Sequence, residues 1–178
     1  MKFSSEIFAR PVLRQRGSTA VLSALLSLSL GACGFTLRSS AELPFTTLFN
    51  GMNPDTVLAD EFNRQARIAS KTEFVANRSR AEAAVEVTTE TREKEAVSFS
   101  PSGRPREYLL RYRVVFQVRD TNGVALLEPT EIVLRRYITT SDVEVLSAQL
   151  EEDFLYREMQ TDMAQQILRR ISVVKKGT

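Results

Sequence analysis

Hydrophobic and polar positions alternate along this chain with two periods, and the switches between them predict its elements. Phe45, Thr47 and Phe49 alternate with Thr46 and Leu48, which predicts a short first strand ended by Gly51. Leu58, Phe62, Ala66 and Ala69 recur every three or four residues. They predict a helix over 54–70, with Asn53 as cap and Pro54 in its first turn.

Period two returns at Ala83, Val85, Val87, Thr89 and Thr91, opposite Glu86, Thr88 and Glu90, and Ser100–Pro105 reads as a turn. The longest alternation follows: Tyr108, Leu110, Tyr112, Val114, Phe116 and Val118 share one face, and Leu109, Arg111, Arg113, Val115, Gln117 and Arg119 the other. Asn122-Gly123 predicts a tight hairpin with positive φ angles, and a return strand through Val124 to Leu127 and again through Ile132 to Thr139. Pro129 cannot donate to a ladder, so it marks a bulge or an edge, and the inward choice between Val133 and Leu134 stays open.

Ser141 to Glu144 has the form of a capping box. The stripe Leu146, Leu150, Phe154, Leu155, Met159, Met163, Ile167 and Ile171 then predicts a long helix, acids early and bases late. The order β-α-β-β-β-α predicts an α+β fold, a four-stranded mixed sheet with two helices on one face. The opposite face is left without a cover.

Ahead of all this stands an apolar run, Val21–Ala32, behind Lys2, Arg10, Arg14 and Arg16. It is too short for a spanning helix, which needs about 20 apolar residues. A basic leader, an apolar centre and small residues before Cys33 are the marks of an export signal. Leu30-Gly31-Ala32-Cys33 resembles the bacterial lipobox, which implies that Cys33 is lipidated and becomes the mature N-terminus. Gly34 in place of Asp lacks the usual inner-membrane retention signal, which implies the periplasmic side of the outer membrane. The organisation expected is a cleaved signal over 1–32, a lipidated tether over 33–43, one α+β domain over 44–172 and a short basic tail over 173–178.

Charge is reread in that light. The chain has 24 basic and 22 acidic residues, but the leader holds four of the bases and one of the acids. The remainder is faintly acidic, which gives no basic signature of nucleic-acid binding. The chain has no His, and its one Cys is assigned to lipid. Imidazole catalysis and His or thiolate metal sites are thereby excluded, and no cofactor motif is present. Glu93 and Glu95 are paired carboxylates without a nucleophile or phosphate loop, a weak case for a hydrolase.

Cys33-Gly34-Phe35-Thr36-Leu37-Arg38, Glu107-Tyr108 opening a long strand, Asp120-Thr121-Asn122-Gly123, and Arg157-Glu158-Met159 in the last helix together resemble the LptE family of LPS-assembly lipoproteins. The resemblance implies a non-enzymatic outer-membrane lipoprotein that plugs the LptD β-barrel and helps deliver lipopolysaccharide to the outer leaflet. It also implies basic lipopolysaccharide-binding residues near the strand tip and the start of the last helix. Ser100 and Ala148 stand near those places here, so no residue transfers.

The residues themselves offer Arg104, Arg106, Arg111 and Arg113 as the densest basic group after the leader. Guanidinium forks suit lipid A phosphates and inner-core carboxylates. The plainer reading makes them a solvated face, or cross-strand partners of Glu90 and Glu86. An auxiliary lipoprotein or lipid-binding module of another envelope transport system is the alternative function.

Overall fold

The computed structural model describes residues 42–139 and 145–175. Cys33, the tether that follows it and the Ser141–Glu144 capping box lie outside these residues, as does the side chain of Leu146.

The elements are β1 (Thr47–Asn50), α1 (Val57–Ala69), β2 (Glu73–Phe74), a 3-10 turn (Arg78–Arg80), β3 (Ala83–Phe99), β4 (Pro105–Asp120), β5 (Ala125–Thr139) and α2 (Val145–Ile171). They form a five-stranded sheet of order β2-β1-β3-β4-β5. β1 is parallel to β2 and β3, and β3-β4-β5 is an antiparallel meander. The α+β class with two helices stands, but the expected four strands become five. The addition, β2, is two residues long, too short to show a period; Phe74 meets Phe62 of α1 edge to face at 6.1 Å.

Helix α1 begins three residues later than expected. Thr56, rather than Asn53, is the cap, accepting from the Ala59 amide. Asn53 instead closes a turn on the Asp55 amide, with Pro54 inside that turn. Leu58, Ala59, Phe62 and Ala66 enter the core as the stripe requires.

The core joins these residues to Leu110, Tyr112, Val114, Phe116 and Val118 of β4 and to Met159, Met163, Ala164, Ile167 and Ile171 of α2. In β1 it is Leu48 that is fully buried. The choice left open in β5 resolves by register. Leu134 faces Tyr112 and joins the core, and Val133 pairs with Arg113 on the other face. Pro129 lies where β5 slips register against Phe116 and Val118, on the last strand of the sheet, so it is both at a bulge and on an edge.

Both hairpins close through three-residue loops. Gly103 (φ 78°) and Gly123 (φ 84°) alone take positive φ among the described residues. Asn122 is therefore not left-handed, and the tight turn expected there is a type I turn followed by a glycine bulge.

Helix α2 has 27 residues, about 40 Å at ~1.5 Å per residue. It runs obliquely over the meander. The Tyr156 hydroxyl donates to the Glu93 carbonyl of β3 at 2.9 Å, and Arg170 Nη1 donates to the Glu131 carbonyl of β5 at 3.2 Å. The expected apolar stripe is only half used. Leu150 (61% exposed) and Phe154 (54%) face outward, because their turns extend past the core that receives Met159 onward.

Candidate functional site

The face of the meander turned away from the helices has no covering element among the described residues. A bulge in β3 decides what it carries. Val87 pairs with Phe116, but Thr89 pairs with Val115, so Thr88 is an extra residue and the side-chain alternation reverses beyond it. Thr89 and Thr91, expected to share the face of Val85 and Val87, therefore lie on the opposite one. Glu93 and Glu95 join them on the open face, while Glu90, Arg92 and Lys94 turn under α2.

On the open face the arginines meet acids. Arg111 Nη1 bonds Glu93 at 2.7 Å, with Glu95 at 3.8 Å from Nη2. Arg113 reaches across to β5, where Nε and Nη2 bond Glu131 Oε2 at 3.0 and 2.8 Å. The hydrogen bond from Arg113 holds the Glu131 carboxyl below its ordinary range, and Glu131 in turn raises Arg113. Near the Gly123 turn, Glu86 accepts from Arg78 and from Gln117 (3.0 Å), with Arg119 Nε 3.8 Å away. The cross-strand partners of Arg111 and Arg113 are thus Glu93 and Glu131, not Glu90 and Glu86; the reversal at Thr88 is the reason.

The four candidate arginines fall into two groups. Arg111 and Arg113 sit mid-strand. Arg104 and Arg106 are exposed at the Gly103 tip, the backbone of Arg104 closing the turn with Ser100. Five residues separate Arg106 from Arg111, about 17 Å at ~3.4 Å per residue. Near the same tip Phe99 is 59% exposed.

The helix-side face of this distal half holds side chains that sequence reasoning left out. Arg92 lies 5.2 Å from the Tyr156 ring and 6.0 Å from that of Tyr112. Lys94 lies 4.4 Å over Tyr108 and pairs with Glu152 of α2 at 2.6 Å. The Tyr112 hydroxyl donates to Glu90 at 2.7 Å; burial first, then that carboxylate, push its phenol far above the ordinary range. Only the bulge brings these groups together, and neither Gly nor Pro marks it in the sequence.

The paired carboxylates Glu93 and Glu95 share Arg111, and among the described residues no nucleophile or base is bonded to them. Among the described residues, no group of three or more His, Cys, Asp and Glu is placed to hold a metal ion. The arrangement offers charged recognition across an exposed sheet.

A family model described as LptE, lipopolysaccharide-assembly, matches residues 49–171. The chain belongs to the LptE family. An uncharacterized lipoprotein B from Nitrosomonas europaea, solved by NMR, is 34% identical, with 78% of this chain and 90% of that one covered at a TM-score of 0.68. Two crystal structures share the fold at lower identity. The rare lipoprotein B from Shewanella oneidensis is 24% identical (71% and 93% covered, TM-score 0.60), and a minor lipoprotein from Acinetobacter baumannii is 22% identical (76% and 98%, TM-score 0.61). No curated protein matches the chain. LptE membership makes this a lipopolysaccharide-assembly lipoprotein of a non-enzymatic family. Among the described residues no helix is long and apolar enough to cross a membrane.

Proposed function

We propose that this LptE-family chain is held at the outer membrane by acyl chains on Cys33, seats in the lumen of an LptD-type β-barrel, and helps deliver lipopolysaccharide to the outer leaflet. The observation that carries the reading is the open sheet face. It presents Arg111–Glu93 and Arg113–Glu131 pairs where an apolar layer would signal a second sheet or a lipid surface. The interior of such barrels is polar, and a face of balanced charge suits it.

Arg104, Arg106, Arg111 and Arg113 are the proposed contacts to lipopolysaccharide. Arg104 and Arg106 sit at the exposed tip, and Arg111 and Arg113 exchange a carboxylate for a phosphate. That exchange costs little, because exposed ion pairs are worth about 0.2–1 kcal/mol. Co-purification from native membranes tests the seat: the acylated chain brings down a large outer-membrane β-barrel. Recovery of another envelope transporter instead would favour an auxiliary lipoprotein of that system. Charge reversal at Arg104 and Arg106 weakens lipopolysaccharide binding in solution; unchanged affinity removes the tip from the site.

A further inference from the structure

One cross-strand row of the open face differs from its neighbours. Arg111 of β4 and Arg135 of β5 are directly opposed in register, with Glu93 of β3 on the far side of Arg111. Directly opposed residues hold their Cβ atoms about 4.5–5.5 Å apart, and like charges so placed repel. The other arginines of this face are engaged: Arg113 with Glu131, Arg78 with Glu86, and Arg119 with Gln117 and the Gly123 carbonyl. Glu93 takes Arg111. The exposed Arg135 side chain has no hydrogen bond or ion pair among the described residues, and Arg111 Nε is buried without a partner. The row therefore holds more guanidinium donors than acceptors.

The next row toward the tip pairs Leu109 with Tyr137, whose ring is 62% exposed. An apolar step thus borders the cationic one. We infer that Arg111 and Arg135 form an oxyanion subsite for a phosphate monoester carried on an amphiphile, whose apolar part lies along Leu109 and Tyr137. Glu93, with Glu95 3.8 Å away, supplies carboxylates to Arg111 but leaves its Nε and the Arg135 guanidinium without an acceptor among the described residues. A phosphate monoester brings about −1.5 to −2 charge and three acceptor oxygens, which serves both. The subsite deepens the lipopolysaccharide reading above and rests on it for the identity of the amphiphile. Arg135 stands outside the four arginines proposed there.

Two measurements on the acylated full chain in maltoside micelles test it. In the first, inorganic phosphate is titrated while the arginine Nε–H resonances are followed by NMR. Arg111 and Arg135 shift saturably and Arg64, paired with Glu61 on α1, does not. Absence of saturation, or one uniform shift across all arginines, overturns the subsite.

In the second, lipopolysaccharide and its enzymatically dephosphorylated form are bound to the native chain and to Arg135→Gln. Loss of a charge-assisted contact predicts that the native preference for the phosphorylated form, about tenfold, falls to about twofold or less in the variant. An unchanged preference, or equal loss for both forms, overturns the inference. So does lost barrel co-purification in Arg135→Gln with phosphate binding intact, which would give the row to the protein partner. If phosphate saturates the row but the native chain binds neither lipid form, the subsite stands for soluble phosphate and the lipopolysaccharide reading is the one that fails.

Discussion

The two halves of α2 are held by different forces. From Tyr156 to Ile171 the helix is sunk into the core through Met159, Met163, Ala164, Ile167 and Leu168. From Ser147 to Leu155 no side chain is buried, and the link to the sheet runs through Lys94–Glu152 and the partly buried Leu155. The strands beneath divide in the same way. On β3, Val85 closes the near end against Val118, whereas beyond Thr88 its helix-side positions are Glu90, Arg92 and Lys94, set against the buried Tyr112 and Leu110 of β4. Apolar burial alone fixes the fold at one end; at the other, polar contacts that water and salt weaken act beside the buried Leu110 and Ile138. Recognition surfaces are drawn from such lightly held regions.

The sharpest way to break this contrast is to cut each half in turn. Phe62→Ala removes a fully buried ring from the near half and costs about 3–5 kcal/mol, read as a lowered denaturation midpoint with unchanged slope. At the boundary, Tyr112→Phe leaves Glu90 without its donor and costs about 1–3 kcal/mol. It also changes the pH response. Because the folded phenol is raised above the unfolded value of 10.0, its contribution is fully present below pH 10 and is lost as pH rises beyond it. Denaturation at pH 8 and pH 11 shows that loss in the native chain and a smaller one in Tyr112→Phe. In the distal half, Glu152→Gln costs about 0.2–1 kcal/mol and high salt abolishes the difference. A loss there as large as that of Phe62→Ala would erase the contrast.

The same contrast explains what was legible in the sequence. Where burial dictates the residues, the pattern read true: the Leu58–Ala66 stripe, the even positions of β4 from Leu110 to Val118, and the stripe from Met159 to Ile171 all reached the core. Errors gathered where backbone irregularity replaces burial. Thr88 reverses the alternation of β3 with no glycine or proline to announce it, so Thr89, Thr91, Arg92 and Lys94 change faces together. Leu150 and Phe154 keep helical spacing, but a period cannot reveal that the core has ended beneath them. For the site, the open face of β4 was visible as Arg111 and Arg113, yet their partners were not, because register depends on the bulge. Arg135 became notable only once pairing set it opposite Arg111.

The oblique course of α2 bears on what the chain must avoid becoming. Among the described residues, the outer rim of β3 beyond its short pairing with β1 is unpaired, as is that of β5, and an unpaired rim is a template for another strand. Tyr156 and Arg170 occupy one carbonyl on each rim, at Glu93 and Glu131. One helix thus guards both margins of the meander. A small sheet so guarded stays a separate body and does not recruit a strand from a neighbour.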